Sequence, residues 1–114
     1  MCNTDELNSV LAMLVTDCKD LLGDKLFDVR LYGSYAKGSQ QEYSDIDVMI
    51  LLDVDGIEAR NHLRAICRIA SEIDLKHDVV ISPVVRSKHD YDRLKNSPGF
   101  YNNVMREGVS MFAG

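Results

Sequence analysis

The chain has 114 residues, 46% of them apolar and 27% charged, and its 13 basic and 18 acidic side chains give a net charge of −5. That length predicts one domain over residues 1–114, able to bury roughly 60–70% of its unfolded surface. The acidic balance argues against double-stranded nucleic acid as a partner, because that affinity rests on Lys and Arg neutralising phosphates.

The longest apolar runs, Val10 to Val15 and Val48 to Leu52, are far too short to span a membrane. The first ten residues are polar, with Asp5 and Glu6 among them, and contain no leader-like run. Cys2, Cys18 and Cys67 form no CxxC pair. Three widely spaced cysteines predict reduced thiols and a cytoplasmic protein. The charge is unevenly spread. Residues 1–59 carry a net −8, residues 60–95 a net +3, and the remainder is neutral.

The first element is predicted as a helix. Thr4 can cap it, Asp5 and Glu6 suit its first turn, and Gly23 suits its C-terminal end. Leu7, Val10, Leu11, Leu14, Cys18, Leu21 and Leu22 follow helical spacing and define its apolar face. Val29 to Tyr32 reads as a short strand that runs directly into Gly33 and Ser34. Residues 35–44 are polar and contain glycine, which predicts a loop or a short helical turn.

Ile46 to Leu52 is an apolar, β-rich run headed by Asp45 and closed by Asp53, Asp55 and Gly56. Ile57 to Ile73 reads as one helix, with Leu63, Ile66, Cys67, Ala70 and Ile73 on one face. Asp78 to Val85 is the third predicted strand, and its unbroken apolar stretch suggests burial on both faces. His89 to Lys95 and Phe100 to Gly108 are read as short helices. The order α-β-β-α-β-α predicts an α+β fold, with helices packed on a small mixed sheet.

Three features point to chemistry. Gly33-Ser34 at a strand end lets backbone approach a ligand closely and offers N–H groups and a hydroxyl to an anion. Asp45 and Asp47 are i and i+2 in a strand, so their side chains share a face. At a separation of about 6 Å and an effective dielectric near 20, two such carboxylates repel by roughly 2–3 kcal/mol. A bound cation removes that cost, and oxygen donors with open positions suit Mg²⁺. Asp78 heads a separate predicted strand and supplies a third carboxylate; Asp74 is the alternative if that strand begins earlier. Singly, each feature is an ordinary turn. Together they describe a metal-dependent phosphoryl or nucleotidyl transfer site.

The stretch GSYAKGSQQEYSDIDVMIL resembles the signature of the DNA polymerase β-like nucleotidyltransferase superfamily and, more closely, of the minimal nucleotidyltransferases. Their pattern of Gly-Ser, ten residues and Asp-x-Asp is matched by Ser34, residues 35–44, Asp45 and Asp47. The resemblance implies a palm of a small sheet backed by helices. It implies that Gly33, Ser34, Lys37 and Ser44 bind the nucleotide, and that Asp45, Asp47 and Asp78 form the catalytic and metal-binding set, with two Mg²⁺ ions and ATP as substrate. Lys37 stands where the family often has Arg; it keeps the charge but not the bidentate fork.

The resemblance further implies transfer of AMP to a hydroxyl. The acceptor site would come from a HEPN-type partner protein, as in a toxin–antitoxin pair, or from a homodimer. An aminoglycoside-like acceptor and a non-catalytic antitoxin acting by contact alone are the alternatives. Arg60, Arg64 and Arg68, spaced i, i+4, i+8, form a stripe that would serve partner docking. Tyr32, Tyr35 and Tyr43 flank the motif and are candidates for base stacking or for core packing. His62, His77 and His89 have no ligand spacing.

Overall fold

The structure, a computed structural model, describes residues 3–41 and 44–113. Cys2 and Tyr43 lie outside the described residues.

Helix α1 spans Thr4–Leu22, and its cap is Asn3 rather than Thr4: Asn3 Oδ1 accepts the Glu6 N–H at 2.8 Å. Leu7, Val10, Leu11, Leu14, Cys18 and Leu22 are buried as the spacing predicts, whereas Leu21 is 47% exposed. Gly23 ends the helix at φ 56° and begins a 3₁₀ turn, Gly23–Lys25, that leads into β1, Leu26–Tyr32. That strand starts three residues earlier than expected. Asp28 and Arg30 mask it in the sequence, yet Asp28 is buried. It accepts the Ser110 hydroxyl at 2.6 Å and lies 3.5 Å from Arg30, whose guanidinium also donates to the Met105 and Gly108 carbonyls.

A short helical turn α2, Ser34–Lys37, precedes β2, Ile46–Leu52, whose bounds match expectation. The predicted single helix is divided. Helix α3, Gly56–Asn61, is capped by Asp55, and α4 runs over Leu63–His77, with His62 between them. Strand β3 is Ile81–Ser87, α5 is Lys88–Leu94 and α6 is Phe100–Glu107. A fourth strand, β4 at Val109–Ala113, was not expected from the sequence.

The four strands are ordered β3-β2-β1-β4 in a mixed sheet: β1 is antiparallel to β2 and β4, and β2 is parallel to β3. The α+β fold is therefore as predicted, but β3 is an edge strand rather than one buried on both faces. Val80, part of the expected buried run, lies outside it and is 54% exposed. One face of the sheet packs Val29, Leu31, Val48, Ile50 and Leu52 into the core shared with α1 and α4. The other buries Met49 and Leu51 beneath Tyr91, Val104 and Tyr101 of α5 and α6. Alternation along β2 places Asp47 on this second face, one step beyond Met49. Among the described residues no helix is long and apolar enough to cross a membrane.

Candidate active site

The site is built at the end of β1 and the start of β2. Antiparallel pairing sets Tyr32 opposite Asp47, and parallel pairing sets Ser82 of β3 on the other side of Asp47. Gly33 follows Tyr32 with φ 73°, a backbone conformation that favours glycine. A Cβ at this position would collide with Asp47 Oδ2 and would lie 3.2 Å from its Cγ. The glycine is thus required twice, by its dihedral and by the carboxylate packed against it. The chain then makes the α2 turn, with the Lys37 N–H bonded to the Gly33 carbonyl at 3.1 Å, and Gly38 ends it in the left-handed region.

Asp45 and Asp47 come together as the i, i+2 spacing requires. Burial of the Asp47 carboxyl, with the Asp45 charge second, pushes its pKa up. Asp45 Oδ2 accepts the Ser82 hydroxyl at 3.0 Å. The Tyr32 phenol is pushed up by its burial and by the Asp47 charge, while Arg86 opposes the shift. Nothing in the sequence marks Ser82: in a strand expected at Asp78 to Val85 it is one interior position among several, and only the register brings it beside the acidic pair.

Asp78 requires correction. It is not at the head of a strand but forms the C-cap of α4, at φ 52° and ψ 49°, with its N–H on the Asp74 carbonyl. The helix runs further than the apolar pattern suggested, so β3 begins three residues later than expected. Asp74 is the carboxylate that turns toward β3. Its Oδ1 accepts the Ile81 N–H at 2.9 Å. Burial raises its pKa, the Ile81 bond lowers it, and the Asp45 charge raises it again, which puts the two carboxylates within electrostatic reach. Among the described residues no three His, Cys, Asp or Glu side chains gather as a metal-binding group. Asp45 and Asp47 are the carboxylates that β2 and the residue before it bring together, with Asp74 within electrostatic reach of Asp45.

Two expected nucleotide contacts have partners within the chain. Lys37 Nζ lies 3.4 Å from Glu107 Oε1 at the end of α6. Ser44 Oγ accepts the Gln41 N–H at 2.7 Å and closes the loop before β2. Tyr35 is buried in the core shared with α1 and α4. The arginine stripe is split by the break at His62, with Arg60 on α3 and Arg64 and Arg68 on α4; all three are exposed.

The chain matches the nucleotidyltransferase domain family over residues 11–109. It is 39% identical over 106 residues to MJ0141 of Methanocaldococcus jannaschii, named as a candidate protein adenylyltransferase, covering 93% of this chain and 99% of that one. MJ0604 of the same organism, with the same description, is 36% identical over 82 residues, covering 72% of this chain and 74% of its own. A solved structure of a candidate minimal nucleotidyltransferase superposes with a TM-score of 0.63 at 20% identity, covering 95% of each chain. A toxin–antitoxin crystal structure with AMP-PNP gives a TM-score of 0.56 at 21% identity, covering 94% of this chain and 73% of that one. At these identities the two structures speak for the fold.

Proposed function

The chain belongs to the nucleotidyltransferase domain family, and we propose that it moves AMP from ATP to a hydroxyl group of a partner protein, releasing pyrophosphate. The observation that carries this reading is the contact between Gly33 and the Asp47 carboxylate, with Asp45 two residues away. It brings the turn that would take the triphosphate against the acids that would take the cation.

Asp45 and Asp47 would hold Mg²⁺. They offer hard oxygen donors from few protein groups, and burial first and the Asp45 charge second push the Asp47 pKa up, both of which a cation would offset. When bound, Mg²⁺ supplies neutralisation of the charge on the transferred phosphoryl group. The chain's own residues do the positioning. Gly33 keeps the backbone close to the acids, and Ser34 stands at the start of the turn facing the triphosphate. Lys37 reaches the phosphates only by leaving Glu107; such exposed pairs are worth about 0–1 kcal/mol, so exchanging one anion for another is easy. Ser82 holds Asp45 from β3. Asp74 replaces Asp78 as the third carboxylate and acts as a positioning residue, fixing the first N–H of β3 beside Asp45.

The curated relatives named as protein adenylyltransferases support AMP as the group moved and a protein as the acceptor. One solved structure of this fold is a toxin–antitoxin complex with AMP-PNP, and the acceptor in our reading is a HEPN-type toxin. The test is incubation with each NTP, Mg²⁺ and the product of the neighbouring gene, followed by intact-mass measurement. The expected result is one added AMP on the partner, with ATP only, lost in the Asp45→Asn/Asp47→Asn double variant. No added mass with any NTP, or addition that persists in the double variant, overturns the reading.

A further inference from the structure

A cavity of about 540 Å³ opens at the far end of β3 from the acidic pair, between α3, the start of α5 and α6. Its volume is that of an ordinary small-molecule site. Arg86 is four residues along β3 from Ser82, roughly 13 Å between their backbones at ~3.3 Å per residue, so the cavity is centred away from the Asp45 and Asp47 carboxylates, while the Arg86 charge reaches Tyr32 between them.

Its lining combines three chemistries. The first is cationic: Arg60 and Arg86 both face it, and neither forms an ion pair among the described residues of a chain that is acidic overall. Arg86 uses one nitrogen on the Val85 carbonyl at 2.9 Å and keeps the rest of its fork for another acceptor. The second is a fixed aromatic and aliphatic wall. Tyr101 is packed edge-on against Tyr91 at 6.3 Å and tilted against Phe100 at 5.9 Å, and Leu63 and Val85 complete the wall. The third is a hydrogen-bond acceptor. Asp90 Oδ1 binds Arg93 at 3.3 Å, while its other oxygen lies beside Gly56 at the cavity edge.

Two guanidinium forks favour a phosphate over a carboxylic acid's smaller charge. An immobilised ring beside apolar side chains favours a planar base, and a carboxylate at the edge favours an amino group on it. We propose that this cavity is a second ligand site, taking a nucleoside monophosphate through Arg60 and Arg86 at the phosphate, Tyr101 at the base and Asp90 at its exocyclic amine. None of its residues belongs to the acidic pair or the Gly33 turn, so its occupancy can be read apart from the transfer reaction proposed above.

The test is titration of the ¹⁵N-labelled full chain with AMP in metal-free buffer. Saturable shifts are expected at the Asp90 and Tyr101 amides and at the Arg86 side-chain N–H. Arg60→Gln and Arg86→Gln should each weaken AMP binding by about tenfold or more, the scale of a lost charge-assisted hydrogen bond. Both side chains are exposed, so an unchanged melting temperature certifies the fold, and Arg60, which has no partner among the described residues, serves if Arg86→Gln proves unstable. Adenosine and inorganic phosphate, titrated separately, should each bind at least tenfold more weakly than AMP. Shifts confined to Gly33 to Lys37, equal binding by either arginine variant, or inorganic phosphate binding as tightly as AMP would each overturn the assignment.

Discussion

Gly33 and Asp47 occupy each other's space: the carboxylate of Asp47 fills the volume in which any larger residue at position 33 would put its Cβ. The glycine thereby sets where the acid sits, and the acid sits where the turn toward Ser34 begins. This contact joins the end of β1 to the start of β2 where a glycine-only backbone conformation meets negative charge.

The contact makes Gly33→Ala a variant whose activity should fall further than its stability. The backbone at φ 73° and ψ −153° is essentially glycine-only and costs another residue about 1–3 kcal/mol. The clash itself is with the end of a side chain, so the Asp47 carboxylate can swing aside at small further cost. That swing displaces the acid from its working position, and a shift of about 1 Å in a reacting group costs on the order of 10²-fold in rate. Thermal melts and the transfer assay on the same sample should show a modest drop and a large one. A loss of activity no greater than the loss of folded protein would dissociate Gly33 from the chemistry.

Substituting Asp45 and Asp47 should remove the thermal response to metal and change the stability without it. In the wild type, Mg²⁺ or Mn²⁺ stabilises the fold by mass action, and the melting temperature rises with concentration. Asp45→Asn/Asp47→Asn should abolish the rise. Without metal the same double variant should melt higher than wild type, because burial and the Asp45 charge both raise the Asp47 pKa. A folded-state pKa above the unfolded value gives a contribution present at low pH and lost as pH climbs from 3.8 through the raised value. At neutral pH that contribution is gone and only the repulsion remains. A double variant that melts lower without metal would mean the pair is structural.

Much of this arrangement is legible in the sequence, and the exceptions have physical causes. The central strand Ile46–Leu52 is read correctly because β2 lies between two neighbours and needs apolar residues throughout. The start of β1 is missed because Asp28 and Arg30 look like loop residues until the Ser110 hydroxyl pairs with Asp28 and the Met105 carbonyl of α6 with Arg30. Asn3 and Thr4 are adjacent and both of types that cap helices, and only the Asn3 side-chain bond to the Glu6 N–H distinguishes them. The helix break at His62 carries no glycine or proline to announce it. Asp78 misleads because its apolar neighbours Val79, Val80 and Ile81 look like a strand, while Val79 and Val80 form the connection. Ser82 becomes a site residue only through a strand register, which no local pattern encodes.

Cys18 should be chemically silent while the chain is folded. Burial first, and the Asp17 charge second, push its thiol from 9.0 up to about 12. The thiolate is the reactive form, so a disulfide reagent at pH 8 should label Cys18 only as the protein unfolds, whereas the half-buried Cys67 should react from the folded state. The raised value also fixes a sign. The protonated Cys18 contributes stability below pH 9.0 that is lost as pH rises through about 12. Cys18→Ala should lower stability at neutral pH, by leaving a cavity, and should flatten the alkaline limb. Labelling of Cys18 at the same rate as Cys67, read by peptide mass mapping, would refute its burial.

Asp74 and Asp78 should part company when each is changed. Asp78 holds a left-handed conformation at the C-terminal end of α4, where its negative charge also opposes the helix dipole. Asp78→Gly removes both penalties and places the preferred residue at a helix C-terminus, so it should stabilise the fold by about 0.5–1 kcal/mol and leave transfer intact. Asp74 has the opposite standing. Its carboxylate is the acceptor for the first N–H of β3, and that strand carries Ser82 to Asp45. Asp74→Ala leaves the Ile81 N–H without its partner, a loss of about 1–3 kcal/mol, and loosens the strand beside the acidic pair. Asp74→Asn keeps an acceptor oxygen and removes the charge. If Asp74 acts by positioning, Asn should restore most of the stability and activity that Ala loses; if its charge is needed for transfer, Asn should be as inactive as Ala while remaining folded. Melting curves and turnover for the three variants decide the matter, and an Asp78→Gly protein that folds well but cannot transfer would return the third carboxylate to Asp78.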